Sequence, residues 1–240
     1  MKLPIMITAT AVIAAAAILL KMKHRGELPL HPIQRSKSNQ VKVACVGDSI
    51  TYGYLIKNQQ KNSYPAQLQQ LLGNHFCVGN FGYSGRTASV DGDFPYIKEH
   101  LYQKSLAFQP NIVLLMLGTN DSKPCNWNSA DYTDSMKKMI EGYLALNSVK
   151  QIYLLLPPPV FALNGKVRFE VNNAVIQNEI IPILNRLSNE YKLTTINLYS
   201  VFEGKNDLFV DGLHPNNAGA KLIAETIYQA LNDNDVFERH

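Results

Sequence analysis

Four short segments of this 240-residue chain hold side chains suited to nucleophilic attack on a carbonyl. Gly47-Asp48-Ser49-Ile50 offers a hydroxyl. Asp211-Gly212-Leu213-His214-Pro215-Asn216 sets a carboxylate and an imidazole three residues apart in a turn bounded by glycine and proline. A serine hydroxyl is a poor nucleophile until a base removes its proton, and that base must be oriented by a third group. The spacing lets Asp211 reach one ring nitrogen of His214 and leaves the other for Ser49. Attack on an ester makes an oxyanion, which needs donors aimed in advance. The Ser49 amide, the Gly85 amide within Asn80–Thr87 and the Asn120 side chain within Gly118–Asp121 can supply three. Glycine at 85 lets the backbone approach a substrate closely.

Each signal alone has an ordinary explanation. Gly-Asp-Ser recurs by chance in turns, Gly85 reads as a turn glycine, and Asn120 as a turn or cap residue. A histidine near an aspartate is commonly a surface pair. Their order and placement argue otherwise. Apolar runs predict strands at Val41–Val46, His75–Val78, Asn111–Leu117, Gln151–Leu156 and Thr194–Leu198. Helical patterns lie at Tyr64–Leu72, Tyr132–Leu146, Asn173–Tyr191 and Asn216–Leu231, and Pro182 should kink the third of these. Strands buried on both faces read as continuous apolar runs, and Asn-Ile-Val-Leu-Leu-Met-Leu does so. Five strands alternating with helices imply a parallel sheet covered on both sides. In such sheets working residues gather beyond the carboxyl ends of the strands. Three of the four segments follow predicted strands, and the last precedes the closing helix.

The four segments together resemble the SGNH (GDSL-type) hydrolase superfamily, named for Ser, Gly, Asn and His in four blocks. GDSIT, NFGYSGRT, GTND and DGLHPN match those blocks in order, across about residues 41–231. The resemblance implies a flavodoxin-like three-layer α/β/α sandwich with no metal or cofactor. It implies Ser49 as nucleophile and first oxyanion donor, Gly85 and Asn120 as the other donors, and Asp211 and His214 as the rest of a triad. Gly82 lies in the second block too, and Gly85, just before Arg86-Thr87, is the chosen donor. GDFPY (Gly92–Tyr96) and GTNDSKPCNW (Gly118–Trp127) are similar to bacterial carbohydrate acetylesterases, including sialate O-acetylesterase-like domains. Removal of O-acetyl groups from carbohydrate is therefore the expected activity. Trp127, the one tryptophan, could stack on a sugar ring or cover core. Arg86 could contact a sugar hydroxyl or carboxylate, or sit as a surface group beside the mouth. Asp48 is assigned to holding the nucleophile turn.

Composition narrows the partners. Hydrophobic content of 46% and charged content of 18% fit a globular domain. The formal charge of +4 sits on the leader: residues 1–40 carry six basic groups and one acid, leaving −1 for the remaining 200 residues. A nucleic-acid partner needs positive charge on the folded domain, so it is excluded. Leu3–Leu20 is an uncharged run of membrane-spanning length, followed by Lys21, Lys23, His24 and Arg25. Residues 1–25 read as an anchor or signal segment, 26–40 as a linker and 41–240 as the hydrolase domain. An uncleaved anchor is preferred to a removed signal peptide. The domain is placed outside the cytoplasm, at the bacterial cell envelope, although the basic cluster pulls the other way. Cys45 and Cys77 read as buried thiols and Cys125 as a loop thiol, and no Cys/His cluster suggests zinc.

Two other readings share the fold. A lysophospholipase or acyl thioesterase would need an apolar groove, for which no loop is rich enough in apolar residues. A flavodoxin-like binding protein holding a phosphate-bearing cofactor conflicts with Asp48 and leaves DGLHP unexplained.

Overall fold

The computed structural model describes residues 36, 37 and 39–234. The anchor and most of the linker lie outside the described residues. Among the described residues no helix is long and apolar enough to cross a membrane.

Five strands form one all-parallel sheet: β1 (Val41–Gly47), β2 (Phe76–Gly82), β3 (Ile112–Met116), β4 (Gln151–Leu156) and β5 (Thr194–Asn197). Their order is β2-β1-β3-β4-β5. Side chains alternate between the two faces of a strand, and here both faces are buried. Ala44, Val46, Val113, Leu115, Ile152 and Leu154 meet Leu101, Met136, Ile140 and Leu187 on one side. Val43, Cys45, Ile112, Leu114, Tyr153 and Leu155 meet Leu68, Ile223 and Ile227 on the other. The helices supplying these partners form the outer layers. With α1 (Ser49–Tyr52) first in the chain, α3 (His100–Ala107), α4 (Ser129–Leu144) and α5 (Ile181–Tyr191) cover one face. Helices α2 (Tyr64–Leu72) and α6 (Asn217–Asp233) cover the other. This is the flavodoxin-like three-layer sandwich.

Register decides where chemistry can sit. Gly47, the last residue of β1, pairs with Gly82 on one side and Met116 on the other. The chain therefore leaves β1, β2 and β3 at one level, and the segments beginning Asp48, Tyr83 and Leu117 emerge side by side. Gly82 makes room for the first of them. A Cβ there would lie 2.1 Å from the Tyr52 backbone nitrogen, so any other residue would push α1 off the sheet.

Three details differ from the sequence reading. Strand β2 runs on through Asn80-Phe81-Gly82, past Val78, because it pairs with the full length of β1. Helix α3 was not predicted, since His100–Ala107 mixes apolar and polar residues without a clean stripe, yet Leu101 and Tyr102 are buried. Pro182 falls in the first turn of α5, preceded by one π-helical stretch, Ile176–Ile180. Proline has no N–H and its ring crowds the carbonyl four residues back, so the helix widens into a π turn just ahead of it, the irregularity that Pro182 imposes here.

Candidate active site

Asp48 caps α1 by accepting from the Ile50 amide at 2.9 Å, which sets Ser49 at the first helical position directly beyond β1. At the other end of the chain, Asp211 builds its own turn. Its Oδ1 accepts from the amides of Leu213 (3.1 Å) and His214 (2.8 Å), and its Oδ2 accepts from His214 Nδ1 at 2.9 Å. One carboxylate thus fixes both the backbone and the ring of His214, the physical use of a three-residue spacing. The far nitrogen, Nε2, lies 2.9 Å from Ser49 Oγ across 165 residues of sequence. Asn216 closes the segment by capping α6 through the Ala218 and Gly219 amides.

Three buried carboxyls surround this line, in different states. Burial pushes Asp211 up, but the hydrogen bond and charge of His214 and two backbone amides outweigh it and bring it down to about 2. Asp211 is therefore an anion, able to stabilise an imidazolium beside it. Burial pushes Asp48 up to about 7, aided by the charge of Asp121 and opposed by the Ile50 amide. Burial likewise lifts Asp121 to about 6, opposed by the amides of Ser89 and Ala88. A carboxyl raised this far carries less negative charge near neutral pH than an ordinary one, which weakens its repulsion of an oxyanion forming next to Ser49.

The second and third sequence blocks form one wall. Asp121 accepts from Ala88 N (3.0 Å) and Ser89 N (2.8 Å), tying the segment after β2 to the segment after β3. Asn120 Nδ2 donates to the Arg86 carbonyl (3.1 Å) and reaches Asp48 Oδ2 at 3.3 Å, and Asn126 holds the Asn120 carbonyl at 3.0 Å. Gly85 takes a φ of +81°, open to glycine and costly for other residues. Gly85 lines the pocket and Gly82 does not, because Gly82 is covered by α1.

That pocket encloses about 160 Å³ and is lined by Ser49, His214, Gly85 and Asn120, with Arg86, Ser84, Lys123 and the apolar Tyr54, Phe94, Phe169 and Leu213. The His214 ring meets the edges of Tyr54 (4.7 Å between centroids) and Phe169 (5.9 Å). Ser84 Oγ is buried and has no hydrogen-bond partner among the described residues. Ser84 and Leu213 fall inside the recognised blocks, and Phe94 lies in GDFPY. Lys123 lies in GTNDSKPCNW, whereas Phe169 carried no signal, since nothing in its neighbours marks it as facing a pocket. Asp121 could have been found as the last residue of GTND, next to Asn120.

Of the two expected substrate contacts, Trp127 needs correction, while Arg86 lines the pocket from a buried position. Trp127 does not reach the pocket: it packs on Tyr132 at 5.6 Å, and its Nε1 donates to Glu179 Oε2 at 2.9 Å. The Asn128 cap that starts α4 immediately after it turns the indole toward the helix layer. Arg86 touches the pocket but is only 4% exposed, and its guanidinium pairs with Glu99 at 2.9 Å. It is neither a surface group nor a free cation.

Residues 45–222 match the GDSL-like lipase/acylhydrolase family, a segment that contains all four blocks. The chain is similar to an acetylxylan esterase of Xylanibacter ruminicola, 39% identical over 221 residues, covering 84% of this chain and 45% of that protein. It thus spans less than half the length of that relative. The fold resembles a Mycobacterium smegmatis aryl esterase (TM-score 0.65, 19% identity, covering 80% of this chain and 98% of that one). It also resembles a carbohydrate acetylesterase from Sinorhizobium meliloti (TM-score 0.62, 18% identity, covering 81% and 99%). With the match running through every segment that frames the pocket, the chain belongs to the GDSL-like lipase/acylhydrolase family.

Proposed function

We propose that this protein is a serine esterase that removes acetyl groups from carbohydrate. The carrying observation is the continuous chain Asp211–His214–Ser49, with two 2.9 Å contacts, at the floor of a small pocket. His214 Nε2 takes the Ser49 proton as Oγ attacks the ester carbonyl, and Asp211 steadies the imidazolium that results. The oxyanion is received by the amides of Ser49 and Gly85 and by Asn120 Nδ2, whose N–H turns from the long 3.3 Å contact with Asp48 Oδ2 while the other stays on the Arg86 carbonyl. The same histidine then protonates the departing alcohol. Water, deprotonated by His214, releases the acid from the acyl-serine.

Pocket size supports a short acyl group. Sites for drug-sized ligands run to roughly 300–1,000 Å³, and the space here is about 160 Å³. A long acyl chain would have to lie on the rim. The likeness to an acetylxylan esterase favours a glycan as the alcohol side, and Phe94 and Phe169 offer exposed rings for a sugar face.

The test is an acyl-length series of nitrophenyl esters, followed by acetylated xylan and acetylated monosaccharides, on a protein beginning near Ser38. Acetyl esters should be turned over fastest, with release of acetate from the glycan. A maximum at eight or more carbons would replace this reading with a lysophospholipase or acyl thioesterase. We further propose that Leu3–Leu20 anchors the domain on the outer side of a membrane. Protease added to intact cells should then digest it, and complete protection until lysis would place it inside.

A further inference from the structure

Arg86 follows the Gly85 turn, and its side chain folds back onto that turn. Nη1 donates to the Ser84 carbonyl at 2.8 Å, Nε donates to Glu99 Oε1 at 2.9 Å, and Nη2 lies 2.9 Å from the same oxygen. The guanidinium stacks on Tyr83, with Cζ 3.3 Å from the ring centroid, and Phe94 lies at 5.4 Å. The Arg86 carbonyl accepts from Asn120 Nδ2 at 3.1 Å. One residue therefore touches the supports of both candidate oxyanion donors that lie outside α1.

Peptide geometry gives this contact a consequence. In a trans peptide the carbonyl and the following N–H point in opposite directions, and no cis peptide occurs among the described residues. Holding the Ser84 carbonyl from one side therefore holds the Gly85 N–H toward the other. That N–H meets no acceptor among the described residues, and Gly85 lines the pocket. Glycine restrains its own backbone less than any other residue. A peptide that must aim a donor, and that ends on glycine, needs a brace from outside.

We propose that Arg86, itself held by Glu99, is the positioning residue of the oxyanion hole. Its guanidinium pins the Ser84–Gly85 peptide and its carbonyl orients Asn120, so that both donors face Ser49 Oγ. The proposal rests on the esterase reading above. Charge-assisted hydrogen bonds are shorter and stronger than neutral ones, which suits a brace. The planar fork of arginine can bridge Glu99 and the Ser84 carbonyl at once, a span one ammonium nitrogen does not match.

The experiment compares Arg86→Lys, Arg86→Gln and the parent, with rates taken per folded molecule. In both variants kcat for an acetyl ester should fall roughly 10–100-fold, short of the roughly 10²–10³-fold for deleting a donor outright. KM should stay within about twofold, since ground-state contacts are untouched. Affinity for phenylboronic acid, whose tetrahedral adduct on Ser49 puts an oxygen in the hole, should weaken by the same factor as kcat. The Gly85 amide resonance should move in ¹⁵N-labelled Arg86→Gln. An Arg86→Lys variant with parental kcat would overturn the proposal, as would a loss that appears in KM alone or only as a smaller folded fraction. If the parent shows no esterase activity, the esterase reading fails, and if Ser49→Ala keeps it, Ser49 is not the nucleophile that the hole serves. The Gly85 resonance still decides the brace in that case: an unmoved signal in Arg86→Gln refutes it.

Discussion

The two walls of the pocket are built differently. On one side, the segments after β2 and β3 are buried and cross-tied by Asp121 to Ala88 and Ser89, Asn126 to Asn120, and Arg86 to Ser84 and Glu99. On the other side stands Phe161–Val171. It is fixed at its start by the Phe161 amide on the Gly212 carbonyl (2.8 Å) and just past its end by the Asn172 amide on Ser122 Oγ (3.0 Å). Between those points Leu163 and Phe169 are exposed, and Phe169 and Glu170 both hold a φ of +58°, a conformation non-glycine residues seldom adopt. Such strain persists where surroundings impose it, and it gathers at functional sites. The first wall is shaped to hold charge that develops in a transition state, where positional error is costly. The second presents one aromatic ring and an arginine whose exposed Nη1 lies 3.9 Å from Asp211 Oδ2. It is suited to contacting whatever part of a substrate protrudes.

The sharpest way to break this contrast is to remove the nucleophile that both walls serve. Ser49→Ala should fold and lose activity by about 10⁶, as nucleophile loss does in a comparable triad. More than a few per cent of parental turnover would mean that another group attacks. Next, Asn120→Ala tests the buried wall. Turnover should drop roughly 10²–10³ with binding little changed. A variant that keeps its rate per folded molecule but melts earlier would make Asn120 a loop support only.

Stability against pH probes the same wall without substrate. Asp48 and Asp121 hold their protons to about 7 and about 6, well above the ordinary carboxylate value of 3.8. Between about pH 4 and 7 the folded state therefore keeps protons that the unfolded chain has lost, and stability falls as pH rises through that window. Asp211, brought down to about 2, acts in the opposite sense, and its contribution disappears as pH falls from about 4 to 2. Thermal melting should accordingly be higher at pH 5 than at pH 7.5, by an amount on the order of a few kcal/mol in unfolding free energy. Equal melting at the two values would show that those carboxyls are ionised in the folded protein.

The smallest effect belongs to the exposed wall. Phe169→Ala should raise KM for acetylated xylan by about 3–10-fold, typical of one lost aromatic contact, and leave kcat for a nitrophenyl acetate near parental. A fall in kcat as large as that of Asn120→Ala would place Phe169 in the chemistry and erase the distinction between the walls.

What could be read directly was whatever depends on local order. The strands announced themselves as continuous apolar runs because both sheet faces are buried, and α2 has the bounds its Pro65 and Gly73 predicted. The four blocks were legible because each is a turn leaving the sheet or opening a helix, and turns demand particular residue types. Asp211 and His214 could be paired from spacing alone, since the bonds joining them close within four residues. The side-chain neighbours of the pocket were decided otherwise. Whether Arg86 faces a substrate or Glu99 depends on where α3 lies, and α3 has no clean periodicity to reveal it. Whether Trp127 meets a sugar or Tyr132 depends on the direction in which α4 departs. Phe169 reaches His214 only because the chain from β4 to α5 passes over a site built from β1 and the segment before α6. Residue order fixes which groups are available, but packing of distant elements fixes their directions, and direction separates a substrate contact from a brace.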